Sequence, residues 1–383
     1  MITTDEFCKK TYGEKLYKLS FNAHMGCPNR DGLVGDRGCI FCSEGGSGEF
    51  ATDITGDIEK DFENAKRQVS SKFKGNRYIA YFQPYTNTYA PVEKLRALYT
   101  KVIARDEVAV LSIATRPDCL DEEKYALLAE LNRIKPVWVE LGLQTVKESS
   151  VRYIRRGYDN EVYAEAIKRL NELGIHTITH IILYLPGESI KDMQDTVRYV
   201  ADNKSAGVKF SLLYVLEGTD IEKDFGSFVL PGMDEYIETL KKCLEILPDD
   251  TVVHRLCSDP PKKGLIAPKW ATDKKKVLNA LRTIKEPLQV YFVYIIECVD
   301  GTLYTGIAKD CEKRFKEHST RKGAKYTRSH KPLRIVYKEP VCGKGRALRR
   351  EYEIKQLSRN EKILLCKKGK TQNGQNNNCD GNS

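Results

Sequence analysis

The chain of 383 residues exceeds what a single hydrophobic core usually organises, so about two or three domains are expected. A content of 41% hydrophobic and 30% charged residues fits a chain that folds in water. No run of about 18 uncharged apolar residues supplies an ordinary transmembrane helix, so no membrane partner is expected. The opening Met1-Ile2-Thr3-Thr4-Asp5-Glu6 lacks the basic-then-apolar pattern of a signal peptide, which makes the cytoplasm the expected compartment. The net charge of +10 is unevenly spread: residues 288–383 hold 21 Lys+Arg against 10 Asp+Glu, whereas the preceding stretch holds 42 against 43. A basic segment beside a nearly neutral one points to a polyanion-binding module, with a merely solubilising lysine-rich surface as the alternative.

Strands are predicted over Leu16–His24, Arg77–Gln83, Val108–Thr115, Val137–Leu143, Thr177–Leu185 and Lys209–Leu216. Helical periodicity falls between them at Val92–Ala104, Glu122–Asn132, Asn160–Leu173 and Ile190–Ser205. This alternation is that of βα units on a parallel sheet, closed into a partial barrel or left open and doubly wound. Either arrangement places ligands at the C-terminal ends of the strands, near Gln83, Thr115, Gln144 and Glu188. The turn-rich Asp259–Gly264 and a last helix over Lys274–Ile284 lead to a boundary at Glu286-Pro287, giving domains 1–286 and 287–370. Beyond it, strands Tyr291–Cys298 and Thr302–Thr305 flank Asp300-Gly301, a hairpin signal, with helices around Cys311–His318 and Arg346–Leu357. The Asn-, Gln- and Gly-rich stretch 371–383 has little to bury and is expected to be disordered.

Of twelve cysteines, Cys27, Cys39 and Cys42 stand out. Cys39 and Cys42 are spaced to reach one metal centre, and the glycine-containing loop before them can return Cys27 to it. A structural zinc ion normally takes four ligands, with His24 available as the fourth. An iron–sulfur cluster on three cysteines leaves one iron open for a ligand. Both readings stand on spacing alone, as does that of ordinary buried thiols. His176 and His254 read as structural.

Around these cysteines the sequence resembles the radical S-adenosylmethionine (radical SAM) enzymes over residues 15–285. It is most similar to the bacterial branch near the elongator catalytic subunit and the oxygen-independent coproporphyrinogen oxidase. The matching elements are Cys27 to Cys42 with Phe41 before the last cysteine, Tyr81–Thr88, Ala114–Asp118, Glu140–Thr145, and His180 through Leu185-Pro186-Gly187-Glu188. The resemblance implies an α/β fold, a partial (β/α)6 TIM-like barrel, with Cys27, Cys39 and Cys42 on a 4Fe-4S cluster. The open iron would take S-adenosyl-L-methionine, whose one-electron cleavage gives a 5′-deoxyadenosyl radical, with flavodoxin or ferredoxin as electron donor. Gln83, Thr115, Glu140, Gln144, Arg156 and His180 are the implied cofactor-binding residues. Gln83 stands where relatives have a glycine-rich element and His180 where the coproporphyrinogen-oxidase branch has an aspartate, and Glu140 also reads as a structural ion pair.

In the basic segment, Tyr294 and Tyr304 lie on the predicted hairpin, Arg314 and His318 share one helix face, and Glu351 sits inside a basic run. Two phenols, a guanidinium, an imidazole and one carboxylate can position water, neutralise phosphate and hold a divalent cation. The segment 291–367 resembles a GIY-YIG nuclease domain, a small α/β fold, through Val293-Tyr294-Ile295, Tyr304-Thr305-Gly306, Arg314, His318, Lys325–Arg328, Lys331-Pro332 and Glu351, with Asn360 as a late match. The resemblance implies Mg2+ or Mn2+ on Glu351, water activation by Tyr294 with His318, and phosphoryl stabilisation by Arg314 and Tyr304. Arg321, Lys322, Lys325, Arg328 and Lys331 would hold the nucleic-acid backbone. Competing with cleavage is a domain that only binds.

Three functions follow as expectations. One is radical modification of nucleic acid, foremost tRNA, with the basic domain as tether. Another pairs small-molecule radical chemistry with an independent DNA endonuclease. The last is a zinc-stapled, non-enzymatic nucleic-acid adaptor.

Overall fold

The computed structural model describes residues 1–369 apart from 44, 47–49, 74, 283, 285–289, 321–324 and 343. The chain forms two compact units, Met1–Leu281 and Arg282–Ser383. The boundary expected at Glu286-Pro287 and the tail 371–383 lie outside the described residues.

The strands of the first unit are β1 (Ile2–Thr3), β2 (Tyr17–Asn22), β3 (Thr52–Asp53), β4 (Tyr78–Phe82), β5 (Val108–Thr115), β6 (Val137–Gln144), β7 (His176–Leu183), β8 (Gly207–Leu212), β9 (Val215–Leu216), β10 (Val252–Arg255) and β11 (Leu265–Ala267). Nine of them form one sheet in the order β1-β10-β8-β7-β6-β5-β4-β2-β3, every pairing parallel. The six expected strands are its centre, and the sheet is the curled partial barrel that the resemblance implied, rather than the open doubly wound alternative. Every residue of β5 is buried, as a strand covered on both faces requires.

Helices Val92–Ile103, Glu122–Ile134, Asn160–Glu172 and Ile190–Asp202 connect these strands. Ser189 caps the last of them through a reciprocal capping box with Asp192. In the turn before it Gly187 takes φ +78°, and Glu188 accepts from Thr145 Oγ1, just past the end of β6, at 2.5 Å. Glu188 is thus engaged at the end of β6 and is not among the residues that line the cavity of this unit.

The second unit is a three-stranded antiparallel sheet, β12 (Val290–Cys298), β13 (Leu303–Ala308) and β14 (Pro332–Cys342), with β12 central. Helices Cys311–Ser319, Lys325–Ser329, Lys344–Gln356 and Arg359–Gly369 complete it. No helix among the described residues is long and apolar enough to cross a membrane.

Candidate active sites

The first unit encloses a cavity of about 840 Å³, lined by Cys27, Cys39 and Cys42, by Gln83, Thr115 and Gln144, and deeper by Glu140 and His180. The cysteine loop is pinned from within. Asn29, 3% exposed, donates to the Arg155 carbonyl at 2.6 Å and to Cys39 Sγ at 3.5 Å. Arg30 donates to the carbonyls of Cys42 and Ser43, at 3.3 and 2.7 Å. Gly38, at φ +75°, lies against Arg30 so closely that a Cβ there would be 2.9 Å from Nε. Burial and the neighbouring Cys42 push the Cys39 thiol up to about 12, against the pull of Arg116.

The donor set distinguishes the metal readings. A zinc ion draws four ligands to about 2.0–2.3 Å of one point. Among the described residues no group of three His, Cys, Asp or Glu side chains, the three cysteines included, converges closely enough to hold a single metal ion. His24, the fourth ligand that zinc would need, is 61% exposed with Nε2 3.2 Å from Asp53. Three cysteines lining one cavity, without that fourth ligand, fit a cluster whose irons are bound one per thiolate.

Gln144 ends β6 at φ +68° just past a bulge, and its amide folds back over Gly142. Thr115 Oγ1 shares a hydrogen bond with Thr88. Arg156 requires a correction. Its guanidinium makes five bonds, to Leu143 O, Thr145 O, Asn160 Oδ1 and twice to Tyr158 O, all 2.8–2.9 Å. A guanidinium has five N–H donors, so Arg156 locks the end of β6 and has none left for a cofactor.

Glu140 and His180 belong to a charge network inside the barrel. Glu140, with no exposed side-chain surface, meets Lys18 Nζ at 2.5 Å, Lys209 Nζ at 3.0 Å, His180 Nε2 at 2.7 Å and Ser112 Oγ at 2.9 Å. Burial alone would raise its pKa, but Lys18 and Lys209 outweigh it and hold the carboxyl well below its ordinary range. Burial, reinforced by Lys209, lowers His180 to about 4. These contacts engage both groups with the protein, and both line the cavity. The sequence reading missed Lys18 and Lys209, yet a signal was there: Lys18 and Ser20 on β2, and Lys209 and Ser211 on β8, alternate with Leu19, Phe21, Phe210 and Leu212 at the two-residue period of a strand. His176 and His254 pack with Phe7 and Trp138, their Nε2 atoms 3.4 Å apart.

In the second unit, β12–β13 register sets Tyr294 opposite Gly306 and Ile296 opposite Tyr304, so the two phenols lie diagonally, ring centres 6.4 Å apart. Tyr294 Oη is 3.0 Å from His318 Nε2, and His318 Nδ1 is 2.6 Å from Thr327 Oγ1. Gly306 is required, because a Cβ there would lie 2.7 Å from Tyr294 Oη. Burial and Tyr304 raise the Tyr294 phenol, and adjacent Arg314 works against them. Arg314 pairs with Glu317 at 2.6 Å, and Glu351 with Lys355 at 2.8 Å. Burial raises the Tyr304 phenol, with Lys355 working against it and Glu351 adding to it, so that the charges of this helix are felt at the hairpin.

Lys331 is exposed, as is Asn360. Arg321 and Lys322, like the side chains of Lys325, Arg328 and Arg346, lie outside the described residues.

Residues 25–200 match the radical SAM superfamily, 205–286 the radical SAM C-terminal domain, and 290–363 the GIY-YIG catalytic domain. YtqA of Bacillus subtilis is 41% identical over 281 residues, 73% of this chain and 87% of that protein. A UPF0213 protein of Staphylococcus saprophyticus is 49% identical over 79 residues, 21% of this chain and 96% of its own. Among solved structures, Elp3 of the archaeon Methanocaldococcus infernus superposes with a TM-score of 0.52 at 15% identity, over 74% of this chain. This chain spans 64% of that structure's length, and at such identity the likeness is one of fold.

Proposed function

This chain belongs to the radical SAM superfamily and carries a GIY-YIG domain behind it, and from that premise we propose that its first unit modifies nucleic acid, foremost tRNA, while its basic second unit holds the polymer. The observation that carries this reading is the three-cysteine donor set lining a large cavity, on a chain whose excess of +11 is confined to residues 288–383.

Cys27, Cys39 and Cys42 would hold a 4Fe-4S cluster, with Gln83, Thr115 and Gln144 facing S-adenosyl-L-methionine. Once bound, this pair supplies a 5′-deoxyadenosyl radical by one-electron cleavage of the sulfonium. Asn29 and Arg30 keep the thiols in place, and Arg156 fixes the strand end that presents Gln144. Flavodoxin or ferredoxin would be the electron donor, and the kinship with the elongator-subunit and coproporphyrinogen-oxidase branch belongs to this proposal.

In the second unit Glu351 would hold Mg2+ or Mn2+ after Lys355 releases it. Tyr294, its hydroxyl 3.0 Å from His318 Nε2, would take the proton of the attacking water as its own passes to His318, with Arg314 and Tyr304 at the phosphoryl oxygens. The Glu351–Lys355 pair at 2.8 Å favours a second reading, a domain that binds without cutting. Metal-dependent cleavage of DNA and RNA, abolished in Glu351→Ala, separates the two.

The deciding experiment is anaerobic reconstitution followed by chromatography for 5′-deoxyadenosine, comparing wild type with Cys39→Ala and with and without tRNA. Production by wild type alone, increased by tRNA, is expected. A colourless zinc protein would remove the radical reading, and turnover indifferent to RNA with no altered nucleoside would remove the tRNA one.

A further inference from the structure

The cavity of the first unit holds more positive charge than its own carboxylates balance. Parallel register sets His180 opposite Lys209 and Lys209 opposite Arg255, one row across β7, β8 and β10. Lys18 reaches the same place from β2, and both ammoniums lie over the Tyr81 ring, at 4.2 and 4.7 Å. Glu140 is the one carboxylate that Lys18 and Lys209 share. Arg255 meets only neutral acceptors, Phe210 O at 3.3 Å and Ser211 Oγ, and has no carboxylate partner among the described residues. The row thus sets Lys18, Arg255 and a partly protonated Lys209 against one anion, with the His180 imidazole kept neutral by burial. Charge of one sign in such an interior is costly without a counter-charge.

We propose that Arg255, Lys209 and Lys18 recognise an anionic oxygen group, a carboxylate or a phosphate, on the molecule that the first unit transforms. This rests on the radical-enzyme reading above. Arg255 offers a planar fork of N–H donors suited to two oxygens of one group, and Lys209 a compact charge beside it. Glu140 holds the two ammoniums in place, and the Tyr81 hydroxyl accepts from Lys209 at 2.7 Å. The cavity volume of about 840 Å³ lies within the range of small-molecule and nucleotide sites.

The test is a lysine footprint on the full chain at neutral pH. Burial and surrounding cations lower Lys209 to about 7, so brief acetylation with an N-hydroxysuccinimide ester, read by mass spectrometry, reports it. Inorganic phosphate and acetate are the probes, at constant ionic strength. Either anion is expected to slow Lys209 acetylation by about fivefold at several times its Kd, with exposed Lys191 unaffected. Protection is expected to vanish in Arg255→Gln and return in Arg255→Lys. Protection by phosphate alone assigns a phosphoryl group, and by acetate alone a carboxylate. No protection by either anion, or equal protection in Arg255→Gln, overturns the proposal. So does parallel loss of S-adenosyl-L-methionine binding in Arg255→Gln, which would assign the row to that molecule. Substrate-free 5′-deoxyadenosine formation is measured separately: its absence in wild type strikes the radical reading, whereas its presence without footprint protection strikes this proposal alone.

Discussion

Glu140 ionises in a place where burial opposes charge, because two ammoniums from distant strands close on it. Replacing it with Gln strands Lys18 and Lys209 together, and Glu140→Gln is expected to cost about 3–5 kcal/mol in urea unfolding. Adding Lys209→Met should recover a large part of that loss. Strictly additive losses would show that the groups are not coupled. His176 gives a pH signature. Burial lowers it from 6.5 to about 4, so between those values the unfolded chain binds a proton that the folded chain does not. Stability is therefore complete above about pH 6.5 and falls as pH drops towards 4, by about 1.36 kcal/mol for each pH unit. His180 shifts in the same sense. The gap in unfolding free energy between pH 7 and 4.5 should shrink by roughly 2–3 kcal/mol in His176→Phe; an unchanged gap would show that other groups carry the acid sensitivity.

The β12–β13 hairpin carries its chemistry in its register. Tyr294 can lie across β13 only because Gly306 has no side chain beneath the hydroxyl. Gly306→Ala should push the phenol off His318 at a cost of about 1–3 kcal/mol. Hydrogen exchange would then quicken in 290–308 and stay unchanged in 108–115; unaltered exchange in both would show that Tyr294 yields freely. Such pairings were readable in advance where local signals were strong. Val108–Thr115 is a continuous run of small and apolar residues, and Asp300-Gly301 marks the β12–β13 turn outright. Unread were β1, β3, β10 and β11, too short to carry a period, and β14, where Pro332 and Pro340 argue against a strand although both fall on an edge strand. The thiols announced themselves by spacing. The row of Lys18, Lys209 and Arg255 did not, since only the folding of β2, β8 and β10 into one sheet gathers it. Arg156 misled for a related reason: which carbonyls surround a guanidinium is decided by the path of the loop after β6.

The chain divides its charge as it divides its units, with near-neutrality through residue 287 and +11 beyond. If the second unit holds the polymer for the first, its contribution is effective concentration rather than chemistry. Lys313, Lys316 and Lys331 are exposed on it, outside the Tyr294–His318 cluster. Each phosphate contact contributes about 0.7–0.9 to the slope of log K against log salt. Reversing the three lysines to Glu should therefore weaken tRNA binding at low salt and flatten that slope by roughly 2. Tethering makes a sharper demand on kinetics. The triple variant should raise KM for RNA while leaving kcat at saturating RNA, and RNA-free 5′-deoxyadenosine formation, as in wild type, because neither the thiols nor the cavity row has changed. A fall in kcat with KM constant would mean that the basic unit acts on the chemical step itself. Binding that weakens while KM stays put would separate the two units into independent activities, which is the arrangement that an endonuclease fused to a small-molecule radical enzyme requires.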